Sequence, residues 1–228
     1  ARSGARRPRG RRGRFATWLG YENNNAQYET GLHGHDTKGR DDTDAKSEPL
    51  VDYETDALTD RFIRHFDGCP QEQPFFAVLS VQPPHDPYVA PPETMARYRP
   101  EDIQLRPNVP PVERVQEQSR RDLAGYYAQI ENLDTNIGRI LDHLEASGLA
   151  ENTWVFFFSD HGDMHGSHGY RRKSSPWEES VRIPMIVQPP KGHQVSREIP
   201  APMNHVDIAP TSLGLCGLKM PETSQGTD

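Results

Sequence analysis

The chain has 228 residues, 33% of them hydrophobic, and a formal net charge of −7, with a mean hydropathy of −0.85. That length suits one domain or two small ones, and no apolar run approaches the roughly 20 residues that a membrane-spanning helix needs. The charge is uneven: residues 1–14, ARSGARRPRGRRGR, hold seven of the 26 basic residues and no acid, so the remainder is more acidic than the whole and argues against nucleic acid as a partner.

In chain order, residues 1–14 read as an arginine-rich tail, disordered or foreign to the domain, in preference to a nucleic-acid arm. No apolar stretch follows them in the manner of a signal peptide. Residues 15–44 are rich in Gly, Asn, His and Asp and read as loop. Within them Trp18–Arg40 is a candidate pocket lining, with His33 and His35 as its polar groups. Over Asp52–Phe66 the apolar residues Leu58, Phe62, Ile63 and Phe66 recur at helical spacing. DGCPQEQP is a turn, and FFAVLSV (Phe75–Val81) reads as a buried strand. It runs into QPPHDPYVAPP, a proline-stiffened loop that carries His85.

Residues 90–118 show no clear period. Ser119, with Asp122 three residues on, reads as the cap of a long helix. Its apolar stripe runs through Leu123, Tyr127, Ile130 and Leu133 to Leu144, with Gly148 at the C′ position. Such a helix is about 40 Å long. TWVFFFS (Thr153–Ser159) lacks alternation, as a strand covered on both faces does. RIPMIVQ reads as another strand. NHVDIAPTSLGLC (Asn204–Cys216) reads as a short helix with a proline inside. The order of elements implies an α/β fold, a mixed sheet layered by helices on both faces. Ligands in such folds gather beyond the strand ends. The 21 prolines imply many loops. Of the two cysteines, Cys69 reads as a loop residue and Cys216 as a small buried apolar one. Neither has zinc-site spacing.

The chemistry concentrates in FFFSDHGDMHGSHGYRRK (Phe156–Lys173). Asp160 and His161 sit where an apolar strand meets a glycine turn. A carboxylate and an imidazole there suit a divalent cation, although a polar strand-end turn would use the same residues. Gly162 lets the backbone turn without a Cβ clash. His165 and His168 follow, but the surrounding glycines oppose a helix that would align them with His161. They read as loop or supporting residues rather than ligands. Lys173 can neutralise an anionic ester as a compact point charge, or be a solvated lysine of RRK. His85 lies in a rigid loop between Pro84 and Asp86-Pro87.

Taken together, SDHGDMHGSHG, Lys173 thirteen residues beyond Asp160, and EESVRIPMIV resemble the C-terminal part of the type I sulfatases of the alkaline phosphatase superfamily. PFFAVLSVQPPHDPY, YYAQIENLDTNIGRILDHLEASGL, NTWVFFFSDHGD and HVDIAPTSLGLCGL resemble four further family segments, so that the likeness covers about residues 15–222. The resemblance implies that residues 15–228 are a partial sulfatase catalytic domain, incomplete at its N-terminus. It implies Asp160 and His161 as ligands to calcium, Lys173 as a sulfate-binding lysine, and His85 as a histidine that contacts the ester and protonates the leaving oxygen. The substrate it implies is a small-molecule or carbohydrate sulfate ester, and the location extracytoplasmic.

The family's formylglycine nucleophile arises in a C/S-x-P-x-R motif, which these 228 residues lack. A strand-end Asp-Asp pair is also missing, since Asp41–Asp42 lies in a polar loop. The expectation is therefore a sulfatase fragment that by itself does not turn over sulfate esters and binds calcium weakly. Phosphonate monoester or phosphodiester hydrolysis, and a non-catalytic metal-binding half-domain, are the alternatives.

Overall fold

The computed structural model describes residues 15–21, 25–28, 30–35, 48–68, 73–193 and 198–228. The arginine-rich segment 1–14, Asp41–Asp42, Cys69 and the side chain of His35 lie outside the described residues. The chain divides into two compact units, Ala1–His143 and Leu144–Asp228. No described helix is long and apolar enough to cross a membrane.

In the first unit, β1 (Trp18–Gly20), β2 (Gly31–His35) and β3 (Glu48–Pro49) form an antiparallel sheet in that order. His33 on β2 is buried, with its ring 5.4 Å from that of Trp18. The helix expected over Asp52–Phe66 is present as α1 (Glu54–Asp67). Its Phe66 is buried and packs edge-on against Phe62 at 4.9 Å. Glu54, at the start of α1, is wholly buried and accepts a 2.6 Å hydrogen bond from the Tyr21 hydroxyl.

The segment Phe75–Val81 departs from expectation. It forms no strand ladder, and Phe76 and Val78 are 72% and 60% exposed. Exposure alternates along it, as period-2 side chains of an extended backbone do. A strand also needs a neighbour's N–H and C=O groups, and no described residue supplies them here. A single turn of helix, α2 (Pro92–Met95), follows it. Beyond α2, Ile103, Leu123 and Ala124 form a small core with Tyr98 and Leu105 against it.

The long helix α3 runs over Glu113–Ala146, 34 residues, or about 50 Å. It starts six residues before the Ser119 expected as its cap. Ser119 is interior and buried, and its hydroxyl donates to the Val115 carbonyl at 2.8 Å. The stretch ERVQEQ has no apolar period but consists largely of good helix formers, so the helix begins once Pro110 and Pro111 are passed. Gly148 takes the expected left-handed conformation at φ 76°, where a Cβ would be costly.

The buried face of α3 also differs from the predicted stripe. Leu123 and Leu144 are buried, but Tyr127 and Ile130 are 37% and 40% exposed. In their place Ala124, Ala128, Gln129, Asn132 and Asn136 are buried. The Asn132 and Asn136 amides donate to the Asp56 carboxylate of α1 at 2.9 and 2.6 Å, and Arg139 pairs with Asp60 of α1. The seam between these helices is thus polar. A hydropathy pattern could not reveal it, because the partners lie 76 and 80 residues apart.

In the second unit β4 (Val155–Phe158) pairs antiparallel with β5 (Met185–Gln188), Val155 opposite Gln188 and Phe158 opposite Met185. Both expected strands are present, but β4 is not covered on both faces: Phe158 is 41% exposed and its three predecessors are half-buried. Among the described residues β5 is its sole sheet neighbour. A short helix α4 (Glu178–Val181) precedes β5. The last helix, α5 (His205–Leu215), contains Pro210 as expected. It starts with the Asn204 backbone N–H donating to the Asp207 carboxylate at 2.8 Å. Cys216 is exposed rather than buried. Its neighbours Leu215 and Leu218 are exposed too, so no apolar layer covers LGLCGL among the described residues.

Two outcomes follow for stability. Asp56→Ala removes the acceptor of the Asn132 amide and one acceptor of Asn136, which keeps the Asn132 carbonyl at 2.9 Å, and is expected to cost about 2 kcal/mol in urea unfolding. Burial raises the Glu54 carboxyl above its usual 4.5, against the lowering effect of hydrogen bonds from Tyr21 and the Gln82 backbone. The folded state then holds this proton more tightly than the unfolded chain, so stability falls as pH rises from the usual value through the raised one. Glu54→Gln is expected to flatten that slope in unfolding curves recorded across the window.

Candidate active site

At the end of β4 the chain turns through Ser159-Asp160-His161-Gly162, and four short contacts fix the turn. The Ser159 hydroxyl donates to the His161 carbonyl at 2.8 Å. The Gly162 N–H donates to the Ser180 carbonyl at 2.8 Å. His205, the first residue of α5, has its Nε2 2.9 Å from the Ser159 carbonyl. His161 Nδ1 lies 2.8 Å from the Gly162 carbonyl. A carbonyl only accepts, so Nδ1 carries a hydrogen. The Nε2 of the same ring lies 3.5 Å from Asp160 Oδ2. A carboxylate oxygen and an imidazole nitrogen thus lie side by side at the strand end, residue types that can hold a cation.

Gly162 is required by proximity. A Cβ there would stand 2.1 Å from the Glu179 carbonyl oxygen. The expectation of a clash-free turn at Gly162 therefore holds for a reason the sequence did not show, the backbone just ahead of Ser180.

From Asp163 to Ser174 the chain forms a tight loop. His165, His168, Arg172 and Ser174 all have positive φ, from 43° to 72°, each costing on the order of 1 kcal/mol or more. Met164 anchors the loop: it is wholly buried, its N–H donates to the Arg172 carbonyl at 2.8 Å, and Ser175 Oγ lies 3.2 Å from its sulfur. His165 is buried, with Nε2 3.8 Å from Asp163. His168 stacks on Trp177 at 4.1 Å and 17°. Neither lines the cleft that the loop borders.

That cleft, of about 510 Å³, brings together Asp160, His161 and Lys173, with Ser174, Asn204 and His205 beside them. The Asp160 carboxylate is 83% exposed and the His161 ring 31%. Asn204 and His205 were missed by the sequence reading. Their signal was the start of the expected helix at Asn204, which places its first turn at a strand end. His85 lies in the first unit, with Nδ1 2.7 Å from the Asp86 carbonyl and 3.4 Å from its carboxylate. Its Nδ1 donates to that carbonyl. Among the described residues no group of three or more His, Cys, Asp or Glu side chains gathers as a metal site. Asp160 and His161 are a pair of donors.

Comparison with known proteins identifies the family. The Sulfatase family profile matches residues 11–218. An ulvan-active sulfatase of Formosa agariphila is 40% identical over 161 residues, 69% of this chain and 31% of that protein. An N-acetylglucosamine-6-O-sulfatase of Bacteroides thetaiotaomicron is 38% identical over 101 residues, 44% of this chain and 18% of that protein. The solved structure of YidJ from Bacteroides fragilis, assigned to the sulfatases, superposes with a TM-score of 0.87 at 30% identity, covering 97% of this chain and 48% of that one. The chain belongs to the sulfatase family, and its fold is the alkaline phosphatase-like α/β fold of those enzymes. It spans about a third or less of these curated relatives and about half of the solved structure.

Gly162→Ala is expected to push the Asp160 turn off α4 and to lower the unfolding free energy by about 1–3 kcal/mol, which denaturant titration would show. An unchanged midpoint would mean that the Glu179 backbone yields freely.

Proposed function

We propose that this chain supplies the sulfate-binding portion of the active site of an enzyme that hydrolyses carbohydrate sulfate monoesters. One observation carries the reading: a carboxylate, an imidazole and a lysine from SDHG and its downstream basic run line a single cleft in a chain of the sulfatase family. A relative acting on a sulfated amino sugar, as its name states, supports the substrate class.

The chemistry follows from charge. A sulfate monoester carries negative charge over its non-bridging oxygens, and breaking the S–O bond builds charge on the leaving oxygen. The Lys173 ammonium is a fixed positive charge for the former. His85 is read as the proton donor to the leaving oxygen, a role it fills from Nε2 when the ring is protonated, since Nδ1–H is already given to the Asp86 carbonyl. Asp160 and His161 are the residues that would hold a calcium ion, by a hard anionic oxygen and a neutral nitrogen. Such an ion, when bound, stabilises charge on the sulfate oxygens. Two donors fall short of the 6–8 ligands calcium takes, so these two residues complete no site between them. No C/S-x-P-x-R motif occurs in the 228 residues. A formylglycine nucleophile is thus not theirs to supply, and the isolated span is expected to be inactive.

The test is steady-state hydrolysis of 4-nitrophenyl sulfate and a panel of sulfated monosaccharides by the protein expressed from its own gene. Lys173→Ala is expected to lower kcat/KM by about 10²–10³, and His85→Ala to lower kcat most for substrates with poor leaving groups. Full activity of the Lys173→Ala protein, or preference for phosphonate monoesters over every sulfate, would sink the reading.

A further inference from the structure

The His85 loop is held by residues that have no part in the chemistry proposed so far. Gln129, on α3, is wholly buried. Its side-chain amide nitrogen lies 3.3 Å from the His85 carbonyl, 3.1 Å from that of Pro87 and 3.3 Å from that of Val89. One NH2 group thus gathers three backbone acceptors from a five-residue arc. The Gln27 amide approaches the same His85 carbonyl at 3.5 Å. The Tyr53 hydroxyl donates to the Val89 carbonyl at 3.0 Å.

Gly125 sits four residues before Gln129, on the same face of α3. A Cβ there would meet the Tyr88 carbonyl oxygen at 2.2 Å and its backbone carbon at 3.0 Å. The loop therefore lies directly on the helix backbone at Gly125 and is hydrogen-bonded to the helix at Gln129. The two observations are independent, one steric and one polar, and they converge on the same arc.

We propose that Gln129, with Gly125 one turn earlier, is a positioning site that fixes the backbone of residues 85–89 and so sets the direction of the His85 ring. The inference rests on the reading of His85 given above. Gln129 touches no reacting atom and acts through His85. Backbone carbonyls need donors, and here a buried side chain provides what a strand or helix would otherwise provide. Three acceptors on one nitrogen leave the loop little freedom to tilt. The ring of His85 inherits that restraint through its Nδ1 contact to the Asp86 carbonyl. A general acid displaced by about 1 Å can lose on the order of a hundredfold in rate.

The experiment uses the protein expressed from its own gene, with Gln129→Met, Gln129→Glu, Gly125→Ala and a His85→Ala control. Circular dichroism establishes folding. Hydrogen–deuterium exchange reads the His85 and Val89 amides, which donate to the Gln82 and Pro87 carbonyls at 3.0 and 2.8 Å. Gln129→Met is expected to speed exchange there tenfold or more while leaving α1 unchanged, and to lower kcat at least tenfold with little change in KM.

The Gln129→Glu variant adds a pH signature. Ionised, its carboxylate has no hydrogen to give three carbonyls. Protonated, it has one. Its activity relative to the native protein is therefore expected to recover as pH falls, which a merely structural lesion would not reproduce. Native exchange rates in folded Gln129→Met and Gly125→Ala proteins overturn the inference. So does native kcat in Gln129→Met when His85→Ala is impaired. If His85→Ala itself retains full activity, the role of His85 fails instead, and the exchange data alone decide whether the clamp exists.

Discussion

Three buried amides on one face of α3 set the terms for the first unit. Gln129, Asn132 and Asn136 lie at helical spacing and all are shielded from solvent. An amide that loses water must find partners within the protein. Gln129 finds them on the His85 loop and the two asparagines find theirs on Asp56 of α1. Each partner is specific in direction, whereas an apolar stripe would tolerate sliding and rotation. The helix thereby fixes a loop without regular secondary structure along one part of its length and a second helix along the next. Apolar burial adds to this through Leu123, Ala124 and Ala128 but does not by itself choose the register.

The second unit meets a related demand differently. Asp160 and His161 must leave the end of β4 together, and a two-stranded ribbon is a weak platform for that. The turn is stiffened by close backbone approach at Gly162 and by His205 reaching the Ser159 carbonyl from α5. The loop that follows accepts four non-glycine residues with positive φ within ten positions. A buried methionine and paired backbone bonds hold it. That loop returns Lys173 to the cleft occupied by Asp160 and His161. The conformational cost falls on residues flanking the site, and the charged groups themselves stay partly open to solvent.

Much of the cleft that forms the candidate site was legible beforehand because its charged residues are close in sequence. Asp160, His161 and Lys173 come from one run of fourteen residues, and the strand-to-glycine transition marks where they emerge. His205 was not legible, because its contact with Ser159 spans 46 residues and its own neighbourhood reads as an ordinary helix start. The helix α1 and the strands β4 and β5 were legible from period and composition. Phe75–Val81 had the composition of a strand and an extended backbone, yet composition cannot supply the neighbour that makes a ladder. The beginning of α3 was misplaced because charged helix formers carry no apolar period.

What the sequence determined by itself was family, the helices α1 and α5, the strands β4 and β5 and the identity of the charged groups, since each is written in local runs of residues. The strands β1 and β2, in a stretch that reads as loop, were not among them. Tertiary structure decided which face of α3 is buried, why residue 162 must be glycine, and what holds the His85 loop. Those outcomes depend on backbone atoms of segments distant in the chain: the Glu179 carbonyl for Gly162, the Tyr88 carbonyl for Gly125, three loop carbonyls for Gln129. Backbone carbonyls are common to every residue type, so no side-chain pattern announces where they will converge.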